Sequence, residues 1–391
     1  MEASPSPARH AGHRHAPKPG ITQRNRKQNR PSGPKPRKPA SLRPLPPATV
    51  YVIGYHALTP ISAASRVIGK PLNIECSSAI GWASGSSLIA FARTSQGLTA
   101  YAMSDGHTVV PIDVATDTAG KPIRVGALFS AAIAASPNGA VVYVVGSNGN
   151  NKPGILTPID TATGTSGRPI PVGVQPDAIA FSPDGKVAYV ANVDDNTVTP
   201  IDVAKGTPGK AIPAQQGPNA FHILFTPDGR TAYVAGPEIT PIDVATGTAE
   251  PAIPVDAGDI AITPDGKTLY ALTYSSPTST VTPIDTATNT PGTAISAQDG
   301  GELLMAPDGK TLYVVGQMGV MTPIDTATNT AAAAITDNRL VANDMAITPD
   351  GKTIYITDFE DSDIVPFDTA TQTMGMPIKL KDVPQQVVVA P

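Results

Sequence analysis

Five polar residues stand at one position of a repeated unit. His222, Asp259, Glu302, Asp344 and Gln386 each lie four residues before the Ser, Thr or Ala that precedes a proline, and the matching residues of three further copies are Leu88, Ala132 and Ala178. Three carboxylates and an imidazole offer oxygen ligands for Ca²⁺ or Mg²⁺, or a mixed nitrogen and oxygen set for a transition metal. They also offer an acid/base pair for lactone or ester hydrolysis, because adjacent carboxylates raise one another's proton affinity. The third reading is a hydrated polar entrance in which each group is solvated independently. That reading is the expectation, since no G-x-S-x-G nucleophile motif accompanies the set and no basic group stands beside it.

The other chemistry-bearing residues read as structural. Asp113, Asp160, Asp202, Asp243, Asp285, Asp325 and Asp368 each close a T-P-I-D or near copy and open the same D-x-A turn, so they are expected to be turn caps, as are the aspartates of P-D-G. Asp194-Asp195 and the run Asp358–Asp363 lack the D-x-D-x-D-G spacing of a calcium loop and are expected to be solvated acidic loops. Cys76 is the one cysteine, which excludes an internal disulfide, and no Cys/His cluster has zinc spacing. No run approaches the roughly 18 apolar residues that span a bilayer, so no transmembrane segment is expected.

The spacing of T-P-I-D points to the elements that must carry these residues. The seven aspartates follow one another at steps of 40 to 47, and an eighth copy, T-P-I-S, ends at Ser62. In one unit, Ala178–Ser182 reads as a buried inner strand. Pro183-Asp184-Gly185 supplies a preset φ, a side-chain hydrogen bond and a left-handed position that reverse the chain into Val187–Val190. Thr197–Asp202 follows as a third strand, with Pro200 removing one ladder donor, and a weaker fourth runs near Ala211-Ile212. A period of 40–50 residues built from such strands predicts an all-β fold, a β-propeller of four-stranded antiparallel blades. Eight blades are favoured, with seven the alternative. The chain enters on a second strand at Thr49–Ile53 and leaves on a first strand at Gln386–Ala390, so the C-terminal strand is expected to complete the N-terminal blade and close the ring. Inner strands that begin beside the central channel then place the five polar residues along one arc of its mouth.

The run Tyr189–Ala204, together with Pro176–Gly185, resembles the YVTN β-propeller repeat family, related in shape to WD-repeat and lactonase propellers, over residues 49–391. The resemblance implies a propeller, frequently seven-bladed, often at the cell surface or in the periplasm; eight copies depart from that number. It implies no single activity. Some members are domains of redox enzymes, but no C-x-x-C-H haem-attachment motif occurs here.

Charge divides the chain. Residues 1–47 carry 11 basic residues and one acid, Glu2, with 11 prolines and almost no large apolar side chain, whereas the remainder carries 17 basic and 31 acidic residues. The first segment is expected to be a disordered tail, with too little to bury to offset the entropy of ordering, and 48–391 to be the propeller. Arg24–Lys27 and Lys35–Lys38 suit an anionic polymer through counterion release. No apolar core of a signal peptide is visible, so an extracellular or surface location rests on the resemblance, with cytoplasmic the alternative. The loops between second and third strands, and a longer crossover with Cys76 and Trp82, suit a protein, peptide or glycan partner. Taken together, the expectation is a monomeric, non-enzymatic binding module without a cofactor, a divalent cation at the arc being the exception allowed. The alternative is a lactonase-type hydrolase using that arc.

Overall fold

The computed structural model describes residues 48–391, except 75–86, 96, 128, 150, 216–221, 276–277 and 317. The expected tail at 1–47 and the crossover bearing Cys76 and Trp82 lie outside the described residues. The described chain forms eight antiparallel sheets arranged as the blades of a propeller.

One blade shows why the residues fold this way. Strand Pro176–Phe181 pairs with Val187–Asn192, which pairs with Thr197–Asp202. The hairpin between the first two strands is closed by side chains. Ser182 Oγ donates to Asp184 Oδ1 and accepts from Val187 N–H, Asp184 Oδ1 accepts from Lys186 N–H, and Gly185 takes φ +69°, a conformation costly for residues with a Cβ. The fourth strand comes in two pieces, Thr207-Pro208 and Ile212-Pro213, both paired with the third. The break lies opposite Pro200, whose carbonyl accepts from Gly209 N–H at 2.7 Å. Carbonyl and nitrogen of one strand residue point the same way, so the ring nitrogen that cannot donate faces the point where the fourth strand is interrupted. A Cβ on Gly209 would stand 3.0 Å from the Pro200 ring, a tight fit, but the same position is Glu250 and Ala332 in two other blades, where the N–H bonds to the Pro241 and Pro323 carbonyls in the same way.

The core lies between blades. Buried clusters join side chains of successive blades, as where Tyr143, Val145 and Leu156 pack on Ala188, Val190 and Ile201. The second-strand tyrosine bridges each gap: Tyr143 stacks on Phe181 with ring centroids 5.3 Å apart and Tyr189 packs on Phe225 at 5.1 Å. Its hydroxyl reaches the D-x-A turn of the neighbouring blade, as in Tyr233 to Asn289 Oδ1 (2.8 Å), Tyr270 to Asn329 Oδ1 (2.7 Å) and Tyr51 to Asp117 Oδ1 (2.7 Å). Tyrosine meets both demands of the position, an apolar ring for the interface and a polar tip with a partner.

The ring closes as the repeat predicts. Strand Pro384–Val389 pairs with Thr49–Gly54, Val387 opposite Val52, so that the first strand of the N-terminal blade comes from the C-terminus. Asp382 Oδ2 adds a clasp, accepting from the N–H groups of His56 (2.6 Å) and Ala57 (2.9 Å).

Candidate functional site

The first strands of successive blades lie beside one another around the axis. Each presents its inner edge to the channel, and a strand edge carries N–H groups that the ladder leaves unpaired. The aligned position lies in one layer of this inner ring. Ala178, Asp259, Glu302 and Gln386 stand opposite Ala191, Leu272, Val315 and Ile53, each two residues beyond the second-strand tyrosine, and His222 bonds through its carbonyl to the matching Ala235. In the blade of Asp344 a bulge lies between Ala342 and Met345, and the side chain of buried Thr357 replaces the ladder, accepting from Asp344 N–H (2.8 Å) and donating to Asp344 O (3.1 Å).

The five polar residues are latches between blades. Asp259 Oδ2 accepts from Leu303 N–H of the next blade at 2.7 Å, and Oδ1 from Ile260 N–H at 2.6 Å. Glu302 accepts from Met345 N–H, Asp344 Oδ2 from Val387 N–H at 2.6 Å, and Gln386 Oε1 from Leu88 N–H at 2.8 Å. His222 Nδ1 lies 3.2 Å from Asp259 Oδ1 and begins the series. Each side chain therefore reaches the blade after its own. Where the aligned residue is Leu88, the next blade's Ile133 N–H bonds instead to the carbonyl of Ser87.

This geometry corrects the expectation that the groups are solvated independently. Asp259 is 2 % exposed, and protein packs around Glu302 and Asp344 although part of their surface stays open. Burial pushes the Glu302 carboxyl well above the usual carboxylate range, the charges of Asp344 and then Asp259 push it further, and the Met345 N–H opposes them. Burial likewise raises Asp344 to about 7, against the Val387 and Met345 N–H groups. Glu302 thus holds its proton more tightly than an ordinary carboxyl and Asp344 exchanges one near neutrality, while the His222–Asp259 pair offers an imidazole oriented by a carboxylate.

The repeated aspartates behave as turn caps. Asp160 Oδ1, for instance, accepts from the Thr163 N–H (2.7 Å) and hydroxyl (2.8 Å), which holds its carboxyl below the ordinary value. Two acidic features escaped the sequence reading. Asp177 is the extra residue of a bulge between Pro176 and Ala178, and burial raises it to about 6, with the Gln175 side chain opposing and Asp194 adding to the shift; alternation along a regular strand hides such a residue. In the run Asp358–Asp363, the two ends are 3 % and 1 % exposed, so this is not a solvated loop. They pair directly across the hairpin, which turns both carboxylates inward. Among the described residues, Asp358, Asp361 and Asp363 are the only three His, Cys, Asp or Glu side chains whose ligand atoms all lie within 4.8 Å of one another.

No family model matches the chain, and neither does any curated protein. Among solved structures it is similar to hydrazine synthase of Kuenenia stuttgartiensis, with 23% identity over 66% of this chain and 88% of that one and a TM-score of 0.52. It is similar to the dihydro-heme d1 dehydrogenase NirN in complex with DHE, with 17% identity over 87% and 74% and a TM-score of 0.70. A functionally unknown protein from Desulfotomaculum acetoxidans matches with 18% identity over 88% and 98% and a TM-score of 0.58. At these identities the likeness is one of fold. It nevertheless overturns the expectation of a non-enzymatic binding module, and of a protein that is not an enzyme, because two of these three propellers are enzymes by name. The fold gives no ground for excluding chemistry. Among the described residues, no helix is long and apolar enough to cross a membrane.

Proposed function

We propose that this propeller is an enzyme whose chemistry is acid–base and is carried by the channel layer of His222, Asp259, Glu302 and Asp344. The observation that carries the reading is a pair of carboxyl groups in successive blades, Glu302 and Asp344, each latched to the next blade and raised in proton affinity by burial, Asp344 to about 7 and Glu302 well above the usual carboxylate range, Glu302 further by its charged neighbours. A general acid has to hold its proton at the working pH, and a general base has to accept one. In this reading Glu302 protonates a leaving oxygen, and the imidazole of His222, oriented by Asp259, accepts the proton of the attacking water. The fitting substrate class is a small neutral ester or lactone, since the ionised carboxylates of the layer, Asp259 and, above its own pKa, Asp344, repel anions. A tetrapyrrole of the kind suggested by the NirN likeness is the second reading. It ranks lower because its carboxylate substituents would meet Asp259, Glu302 and Asp344. We also assign the repeat to the YVTN type on the run Tyr189–Ala204.

The test is turnover of a panel of lactones and aryl esters between pH 5 and 9 by the parent, Glu302→Gln and Asp344→Asn, with a haem absorbance titration in parallel. Removing one acid–base group is expected to lower kcat by about 10²–10⁴-fold, with the fold retained because Gln and Asn keep an oxygen acceptor for the latch. Absence of turnover by the parent across the panel, or equal rates in the variants, refutes the acid–base reading; tight haem binding supports the second.

A further inference from the structure

The hairpin that joins second and third strands has two versions in this propeller. In the blade of Asn192 the two paired ends are neutral and the polar groups there are matched, with Asp195 at the tip taking the Val174 N–H (2.7 Å). The buried Asn192 amide donates to Thr197 O (3.3 Å), Thr197 Oγ1 (3.2 Å) and Thr199 Oγ1 (2.9 Å), and its Oδ1 accepts from Gly173 N–H (2.9 Å). Asn192 and Thr197 are directly paired across the hairpin. In the blade of Asp358 the same paired positions are Asp358 and Asp363, and Val365 stands where Thr199 does. A donor and its acceptors have been exchanged for two carboxylates, which only accept when ionised.

The donors that remain do not fill the gap. Asp358 Oδ1 takes the N–H groups of Glu360 (3.2 Å) and Asp361 (3.3 Å), with Val341 N–H at 3.5 Å. Lys379 Nζ lies 2.8 Å from Asp363 Oδ2 and 3.9 Å from Asp361 Oδ2. Asp363 Oδ1 is buried and has no hydrogen-bond partner. Burying a carboxylate oxygen uncompensated is costly, and buried charges are normally paired or bind a metal. Burial raises the Asp358 carboxyl above its ordinary value against the Asp361 and Val341 N–H groups.

We propose that Asp358, Asp361 and Asp363 form a binding site for one divalent cation of the Ca²⁺ class, with the orphaned Asp363 Oδ1 as a ligand. Three carboxylate oxygens within 4.8 Å of one another fit around a single ion, because Ca²⁺ holds oxygens at about 2.3–2.6 Å and ligands across it stand up to ~5 Å apart. The charge fits as well, since three carboxylates less the Lys379 ammonium leave two negative charges for a doubly positive ion. Mg²⁺, which needs a smaller and more regular octahedron and sheds water reluctantly, binds more weakly here. The site shares no ligand with the acid–base groups of the channel, although Thr357, beside Asp358, holds the backbone of Asp344.

The experiment is calorimetric titration of the metal-free full chain with Ca²⁺, Mg²⁺ and Mn²⁺, together with thermal unfolding at each concentration. One Ca²⁺ per chain is expected. At a free concentration a hundred times Kd, the ion should raise Tm by about 4 °C for a domain of this size. The double variant Asp358→Asn, Asp363→Thr rebuilds the pair found at Asn192 and Thr197, so it should fold without the ion and lose both the heat of binding and the Tm shift. Asp361→Asn leaves the buried pair untouched and should weaken Ca²⁺ at least tenfold. Absence of binding in the parent at millimolar Ca²⁺ overturns the proposal. Unchanged binding in the double variant overturns it equally, by placing the ion elsewhere.

Discussion

Replacing Asp344 by Asn tests whether the channel layer stores an electrostatic penalty. Burial moves the Asp344 carboxyl from 3.8 to about 7. Between those two values the folded protein binds more protons than the unfolded chain, so stability is greatest below the lower value and falls as pH rises through the window. About three units at ~1.36 kcal/mol each set a ceiling of about 4 kcal/mol on the loss by pH 8. Water in the channel screens the charge, which brings the expected effect to about 2–4 kcal/mol. Asn keeps an oxygen for the Val387 N–H and carries no charge, so the variant escapes this loss. It also relieves Glu302 of its strongest charged neighbour. For ~340 residues with an unfolding entropy of roughly 2.1 cal/mol/K each, the ceiling corresponds to a Tm difference of about 6 °C. The assay is calorimetric unfolding of parent and variant from pH 4.5 to 8.5. The curves should be closest at the acid end and diverge steadily as pH rises to about 7, the variant being the more stable at pH 8. Parallel profiles, or a variant less stable at pH 8, would refute the reasoning, because either outcome means the latch is worth more than the charge costs.

Other outcomes follow from the blades themselves. Tyr233→Phe keeps the buried ring and removes the hydroxyl bond to Asn289, so urea unfolding should show a loss of about 0.5–1.5 kcal/mol; a neutral result would mean the tip is solvated as well without its partner. Deleting Val383–Pro391 removes the strand that completes the N-terminal blade, exposes the Thr49–Gly54 edge and takes away the Val387 partner of Asp344 and the Gln386 latch to Leu88, and should lower Tm sharply and promote aggregation seen by light scattering. Deleting Met1–Leu45 should leave both nearly unchanged, and equal tolerance of the two truncations would contradict the closure argument. The rate loss in Glu302→Gln and the Ca²⁺-dependent rise in Tm stand as independent tests of the two sites.

The sequence alone was enough for the ring, the strand order within a blade, the composite blade and the turn role of the repeated aspartates. All of these rest on local geometry repeated at a near-constant interval: P-D-G can reverse the chain in few ways, and an aspartate at the head of a D-x-A turn finds its partners within three residues. Alignment on P-D-G also placed His222, Asp259, Glu302, Asp344 and Gln386 in one layer, since a strand register propagates from its hairpin. The state of those residues was another matter. Whether a carboxylate on an inner strand meets water or the N–H of the next blade depends on a neighbour some forty residues away in the chain. Composition and periodicity are blind to that distance, which is why solvated groups were expected where the fold builds latches. Asp177 drew no attention in the sequence, and the Asp358–Asp363 hairpin was read as solvated, for the same reason. A bulge turns Asp177 off the alternation, and direct pairing of Asp358 with Asp363 buries charges that read in sequence as a polar loop. Short-range hydrogen bonding and strand periodicity are written residue by residue. Burial, and with it the proton affinity and cation affinity of a carboxylate, belongs to the packed ring and is decided only when the blades close on one another.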